Sequence, residues 1–289
     1  MRIISSGIAF MILTIFLFSI MNALAKEFTT HYSIIQIVWA RYLSQTILTT
    51  LIFLPNIRDT VKTQNIKLHL FRSLLLFGAT ISMFSGFKYL SLISTITIFQ
   101  IGPLIIVIFS VIFLKENVGY RRWLSVIIGF SGTLFILKPG TTMFAIAGFF
   151  PILAAICYAG YAVSTRSLGT DEDPKTNFFY TSLVGTMISS IILIPFFEPI
   201  LLKDLALFSI LGVIGGLGHF SFVIALRKSE ASLLAPFAYF DLIFATILGI
   251  IFFSEYPDTY VIIGASIIVS AGIYTWYREK LQKAEGRFN

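Results

Sequence analysis

Ile108–Glu116 reads IFSVIFLKE and Ile247–Glu255 reads ILGIIFFSE, and four of the nine positions agree at an offset of 139 residues. Most of the others exchange one apolar or small residue for another. The same offset pairs Lys88 with Arg227, each at a sharp connection before the fourth apolar stretch of its half, and Gln100 with Tyr239. Beyond Glu116 lie Gly129 and Gly132; beyond Glu255 lie Gly264 and Gly272, one residue out of register. Apolar similarity over nine residues is weak evidence on its own. Its weight depends on whether it falls at the same place in two equal halves of the chain.

It does. A hydrocarbon core of about 30 Å takes roughly 20 helical residues to cross. Apolar runs of that length predict spans over 3–25, 33–54, 67–89, 92–114 and 121–137, and again over 144–165, 176–197, 205–226, 231–253 and 258–277. Within lipid only a helix satisfies its own backbone, and the strict alternation of a barrel strand is absent. The expected fold is an all-α membrane protein of ten transmembrane helices, built as two five-helix repeats, residues 1–140 and 141–289. Five is odd, so the second copy enters from the opposite side and the repeats are inverted. That architecture belongs to many secondary transporters, because exchanging the conformations of the two halves exchanges the open side.

Composition agrees. Of 289 residues 57% are hydrophobic and 12% charged, against about 25% charged in a soluble domain. The net charge of +7 sits in short basic clusters between apolar runs, which suits membrane loops and not a nucleic-acid face. With the N-terminus inside, sixteen Lys and Arg fall on the cytoplasmic side, including Arg58, Arg72, Arg122, Arg166 and Lys228. Four fall outside (Lys26, Lys88, Lys138 and Lys203), and Arg41 lies within a span. The expected placement is a bacterial inner membrane with both termini cytoplasmic. Arg2, the apolar stretch after it and Ala23-Leu24-Ala25 imitate a secretory signal peptide. The stretch is longer than a signal core, however, and cleavage would break the repeat.

No cofactor or metal is expected. His31, His69 and His219 are far apart, and Cys157 is alone. There is no Walker A loop for ATP, no His-Glu-x-x-His or Gly-x-Gly-Asp set for a membrane-embedded enzyme, and no selectivity-filter loop. The chain is therefore not expected to be an enzyme.

The segments Arg72–Trp123 (RSLLLFGATISMFSGFKYLSLISTITIFQIGPLIIVIFSVIFLKENVGYRRW), Gly129–Gly140, Gly215–Asp258 and Gly264–Tyr274 together carry a family likeness. Over nearly its whole length the chain resembles the EamA-type branch of the drug/metabolite transporter superfamily. The resemblance implies a ten-helix carrier with a central cavity lined by the first, third, fourth, sixth, eighth and ninth helices. The fifth and tenth act as scaffold. Members move amino acids, nucleotide-like metabolites, vitamins and toxic compounds.

An ionisable group near the bilayer centre costs about 2.5–3.5 kcal/mol on insertion scales, which singles out Asp241, midway along the ninth span. It reads as a substrate-cation contact, a proton carrier or a structural partner of Arg41 or His219. His219 suits proton coupling by its titration range, or simply packs. Arg41 could hold a substrate carboxylate, although a structural ion pair or snorkelling fits a helix not expected to line the cavity. Asn22, Gln100, Tyr158, Tyr161 and Tyr239 supply neutral polar groups for a substrate or for helix–helix bonds. Pro103 and Pro236, inside the fourth and ninth spans, are candidate hinges. Gly212 with Gly216, and Gly78 with Ser82 and Gly86, form small-residue packing faces. Glu116 and Glu255 are read as interfacial anchors.

The expected function is alternating-access transport of a small zwitterionic metabolite, amino-acid-like or S-adenosylmethionine-like. The acidic residue after Ala-Pro-x-x-Tyr resembles the arrangement in S-adenosylmethionine carriers of the family. The alternative is export of toxic or drug-like amphipathic compounds. Expected partners are the solute, the lipid bilayer and a coupled proton, with no nucleic acid, in a monomer or homodimer.

Overall fold

A backbone surrounded by lipid must close its own hydrogen bonds, and among the described residues the chain does so as helix, without a strand. The computed structural model describes residues 2–116, 119–120, 123–124, 127–128, 131–132, 135, 142–169 and 172–284. The expected span 121–137 lies mostly outside them. The main elements are α1 (Arg2–Phe28), α2 (Ile34–Phe53), α3 (Ile66–Tyr89), α4 (Leu92–Phe99) and α5 (Gly102–Leu114). They continue with α6 (Thr142–Leu168), α7 (Pro174–Leu193), α8 (Leu202–Lys228), α9 (Phe240–Phe253) and α10 (Thr259–Ala284). Seven helical segments among the described residues are long and apolar enough to cross a membrane, and Phe237–Phe253 and Thr259–Ala271 are shorter apolar helices. Ile191, Leu202 and Phe252 stand exposed on the bundle's outer face. Such apolar surface is unusual on a water-soluble monomer.

Backbone irregularities recur at the sequence offset. Lys115 and Ser254, 139 residues apart, are the two non-glycine residues with positive φ among the described residues, at 55° and 51°. Each ends a helix in the left-handed conformation. The next N–H then reaches back, Glu116 to Ser110 O at 3.2 Å and Glu255 to Gly249 O at 3.0 Å. Leu90 and Ser229 are both extended, and their N–H groups bond Gly86 O and Ala225 O. Short 3-10 turns follow α2 and α7, Leu54–Asn56 and Ile194–Phe196, each with proline in its first positions. Packing recurs as well: α1 lies on α8, α3 on α6 and α2 on α7. The Thr46 and Thr186 hydroxyls, 140 residues apart, meet at 2.8 Å.

Both candidate hinge prolines sit at interruptions. The fourth span is cut at Gln100–Ile101, and Pro103 follows in the first turn of α5, where a missing N–H costs nothing. In the ninth span Ala231–Leu234 is helical, Ala235–Tyr239 with Pro236 is a 3-10 segment, and α9 begins only at Phe240. Glycine is required where α8 crosses α2: a Cβ on Gly212 would stand 2.7 Å from Arg41 O and run into the Ser44 side chain.

Candidate functional site

The break before α9 positions Asp241. It places the carboxylate in the first turn of a helix, where unpaired N–H groups and the helix dipole favour negative charge. Asp241 is buried, and its Oδ1 accepts a hydrogen bond from Ser19 Oγ of α1 at 2.5 Å. Its side-chain hydrogen bond is thus with Ser19, and neither Arg41 nor His219, the structural partners considered from the sequence, is paired with it. Gln100, at the matching break between α4 and α5, donates from Nε2 to Ala238 O at 3.2 Å and ties the two interruptions together.

Arg41 is 1% exposed and does not snorkel. Close contact at Gly212 brings α2 against α8 and sets the guanidinium beside His219. Nη1 donates to Thr80 Oγ1 at 2.8 Å, Nε approaches Met21 Sδ at 3.2 Å, and Nη2 is hydrogen-bonded to His219 Nε2. An arginine only donates, so His219 Nε2 accepts and its proton sits on Nδ1. The His219 ring lies between Phe18 and Tyr161, at centroid distances of 4.5 and 5.8 Å. No carboxylate stands within 4 Å of Arg41 among the described residues. The structural ion pair expected for it is absent.

Asp241, Arg41, Gln100, His219, Asn22 and Tyr158 line one cavity of about 90 Å³, with Pro103 on its wall. At about 10–15 Å³ of such volume each, it has room for several waters. Its other walls are mainly apolar and aromatic, among them Met21, Phe84 and Phe99. α2 reaches the cavity through Arg41, in addition to the helices expected from the resemblance. Two expected site residues lie elsewhere. Tyr239 is buried against Ile93, Ile98 and Val261, with its hydroxyl unpaired. Tyr161 turns its hydroxyl away from the cavity to accept from Arg72 Nη2 at 3.2 Å.

Sequence reasoning missed Ser19, Thr80 and Arg72. Ser19 lies three residues before Asn22 on the same face of α1, a spacing that could have found it; nothing in the sequence marks Thr80. The charge tally places Arg72 with the cytoplasmic loops. It is fully buried instead, donating to Thr165 Oγ1, Asn177 O, Thr181 Oγ1 and Tyr161 OH at 2.8–3.2 Å. It therefore joins α3 to α6 and α7 outside the cavity.

Known proteins resemble this chain along nearly its full length. Residues 5–138 and 145–277 each match the EamA-like transporter family. The S-adenosylmethionine uptake transporter of Rickettsia bellii is 29% identical, over 96% of this chain and 95% of its own. The pseudopaline exporter of Pseudomonas aeruginosa is 26% identical, over 94% and 96%. The riboflavin transporter of Vibrio cholerae is 26% identical, over 93% and 92%. A solved crystal structure shares the fold with a TM-score of 0.74 at 17% identity, covering 96% of this chain and 99% of that one.

Proposed function

This chain belongs to the EamA-like transporter family, and from that premise we propose that it carries a small zwitterionic metabolite across a bacterial inner membrane by alternating access. In this reading residues 1–140 and 141–289 are inverted five-helix halves, and both termini are cytoplasmic. The observation that carries the substrate class is the charge of the cavity. A buried carboxylate, Asp241, and a buried guanidinium, Arg41, line the same space, and no ion pair joins them. Burial of charge is expensive unless something compensates it. A zwitterion brings both missing partners, a cationic centre for Asp241 and a carboxylate for Arg41. The aromatic walls suit an attached ring, and the 29% identical relative named for S-adenosylmethionine makes that solute the first to test.

Moving a solute from one side to the other requires the helices to part on one side and close on the other. The paired interruptions at Gln100–Ile101 and Ala235–Tyr239 are where the fourth and ninth spans bend without losing further hydrogen bonds. His219, with Nε2 committed to Arg41, acts as a positioning group for the guanidinium.

The test is uptake of labelled S-adenosylmethionine into proteoliposomes, with and without unlabelled solute inside, followed by a panel of amino acids and nucleosides. A carrier gives saturable flux accelerated from the far side; flux linear in concentration and indifferent to trans solute removes the proposal. Arg41→Gln should raise KM about tenfold or more, the scale of one lost charge-assisted bond. A decarboxylated analogue should show no such increase, and an equal increase for both solutes places the carboxylate elsewhere. Orientation is read separately, by reporter fusions at the two termini, which should both report cytoplasm.

A further inference from the structure

Glu255 holds three elements together at one end of the bundle. Its Oε1 lies 3.0 Å from Lys26 Nζ in the last turn of α1. Its Oε2 accepts the backbone N–H of Leu92, the first residue of α4, at 2.7 Å. Lys26 also donates to Leu90 O at 3.0 Å and stands 5.5 Å from the Phe253 ring centroid. The two side chains are only 14% and 18% exposed, so this pair is less screened than an ordinary surface bridge.

The same parts exist at the opposite end. Glu116 is the counterpart of Glu255 at 139 residues, and Arg166 the counterpart of Lys26 at 140. The backbones agree, down to the left-handed residue before each glutamate. Arg166 Nη1 donates to Leu226 O at 2.8 Å, near the end of α8, much as Lys26 does to Leu90 O. The ion pair does not recur. Arg166 and Glu116 are not within 4 Å, and Glu116 Oε2 is buried without a hydrogen-bond partner. An acceptor withdrawn from water and left unpaired costs free energy, and the cationic residue that would satisfy it sits on α6, which packs against α5.

The cavity lies near mid-depth, its lining running on α1 from Met11 to Asn22 and on α3 from Leu76 to Phe84. α4 enters from the Glu255 end and contributes no lining residue before Phe99; α9 leaves toward that end and contributes none after Asp241. On these two interrupted spans the lining continues toward the Glu116 end through Pro103, Ile106 and Ala238. Over the Glu255 end Phe28, Phe84, Phe87, Leu92, Ile96 and Ala245 close into one apolar cluster.

We propose that Lys26–Glu255 and Arg166–Glu116 are alternate latches at the two ends of the cavity: the structure holds the first closed and the second open, and the transport cycle exchanges them. In the opposite state Arg166 pairs with Glu116, while Glu255 releases Lys26 and the start of α4. This rests on the inverted-repeat transporter reading, and its test needs no solute, so a chain that fails the uptake assay still reports on the latches.

The experiment places a single cysteine on the cavity wall, Thr14→Cys in a Cys157→Ser background, in full-length protein in oriented membrane vesicles. A membrane-impermeant maleimide is then applied from one side. Glu255→Gln should raise labelling from the Glu255 side about three- to tenfold, the shift from losing about one partly buried pair. Glu116→Gln should leave that rate at or below the parent's and keep labelling from the Glu116 side high. Exchanging the charges, Lys26→Glu with Glu255→Lys, should lower the rate part of the way back toward the parent's, because the ion pair returns while the bonds to Leu92 N–H and Leu90 O do not. If Glu255→Gln does not accumulate, Lys26→Met opens the same latch with the carboxylate kept. Unchanged Glu255-side labelling in the variant that folds overturns the proposal, as does an equal rise in Glu116→Gln.

Discussion

Replacing Asp241 with asparagine should lower kcat/KM for a cationic zwitterion by about 30- to 150-fold while the protein accumulates normally. Asparagine keeps the shape of the side chain and its carbonyl still accepts from Ser19 Oγ, so the fold loses little. What disappears is the negative charge facing the cavity. An interaction with a charged group is worth about 2–3 kcal/mol at its upper range, and each 1.4 kcal/mol is about tenfold. Initial rates in proteoliposomes, normalised to reconstituted protein, measure the loss. An uncharged solute that enters the same cavity should lose far less, which separates a charge effect from a general defect. A parental rate for the cationic solute in Asp241→Asn takes Asp241 out of the binding site.

The largest effect on the fold should come from Arg72→Ala. The guanidinium serves four acceptors on α6 and α7 from within α3. Its removal takes the only shared donor from these four acceptors. Each buried group left unpaired costs about 1–3 kcal/mol, and losses in one network do not simply add. We expect about 3–5 kcal/mol in all, seen as a marked fall in melting temperature in detergent and in the amount recovered from membranes. Arg72→Lys, which keeps the charge but loses the fork, should fall between. Transport per folded molecule should change much less than in Asp241→Asn. Unfolding of Arg72→Ala at the parent's temperature would remove the anchoring role.

The two arginines show where the sequence was legible. Both Arg41 and Arg72 were visible as cations in an apolar chain. Arg72, seven residues into α3, lies close enough to a span end to pass for a loop residue, and only the side chains arriving from α6 and α7 reveal its burial. Arg41 was recognised as intramembrane, but its partners come from α1, α3 and α8, so pairwise spacing carried no trace of them. Asp241 was legible because its cost is intrinsic to its depth. Tyr239 was not, although its counterpart Gln100 does line the cavity. A shared offset equates backbone positions and leaves side-chain direction open. A 3-10 turn advances about 20° more per residue than an α-helix, so the five residues Ala235–Tyr239 turn by about 100° more than five α-helical ones. That is enough to carry Tyr239 off the cavity face and against α10.

The contact between Thr46 and Thr186 has a different bearing on the proposed cycle. Each hydroxyl touches the one that repeats its own position, so the bond straddles the line about which the halves trade places. Under the proposed cycle it is the same bond in both conformations, between the same pair, with the roles of the halves reversed. A substitution there raises or lowers the two conformations together and leaves their ratio near its starting value. Its influence falls on the barrier between them. Residues on that line tune how often the carrier turns over, while residues away from it, which have distinct surroundings in each conformation, decide which side it waits on.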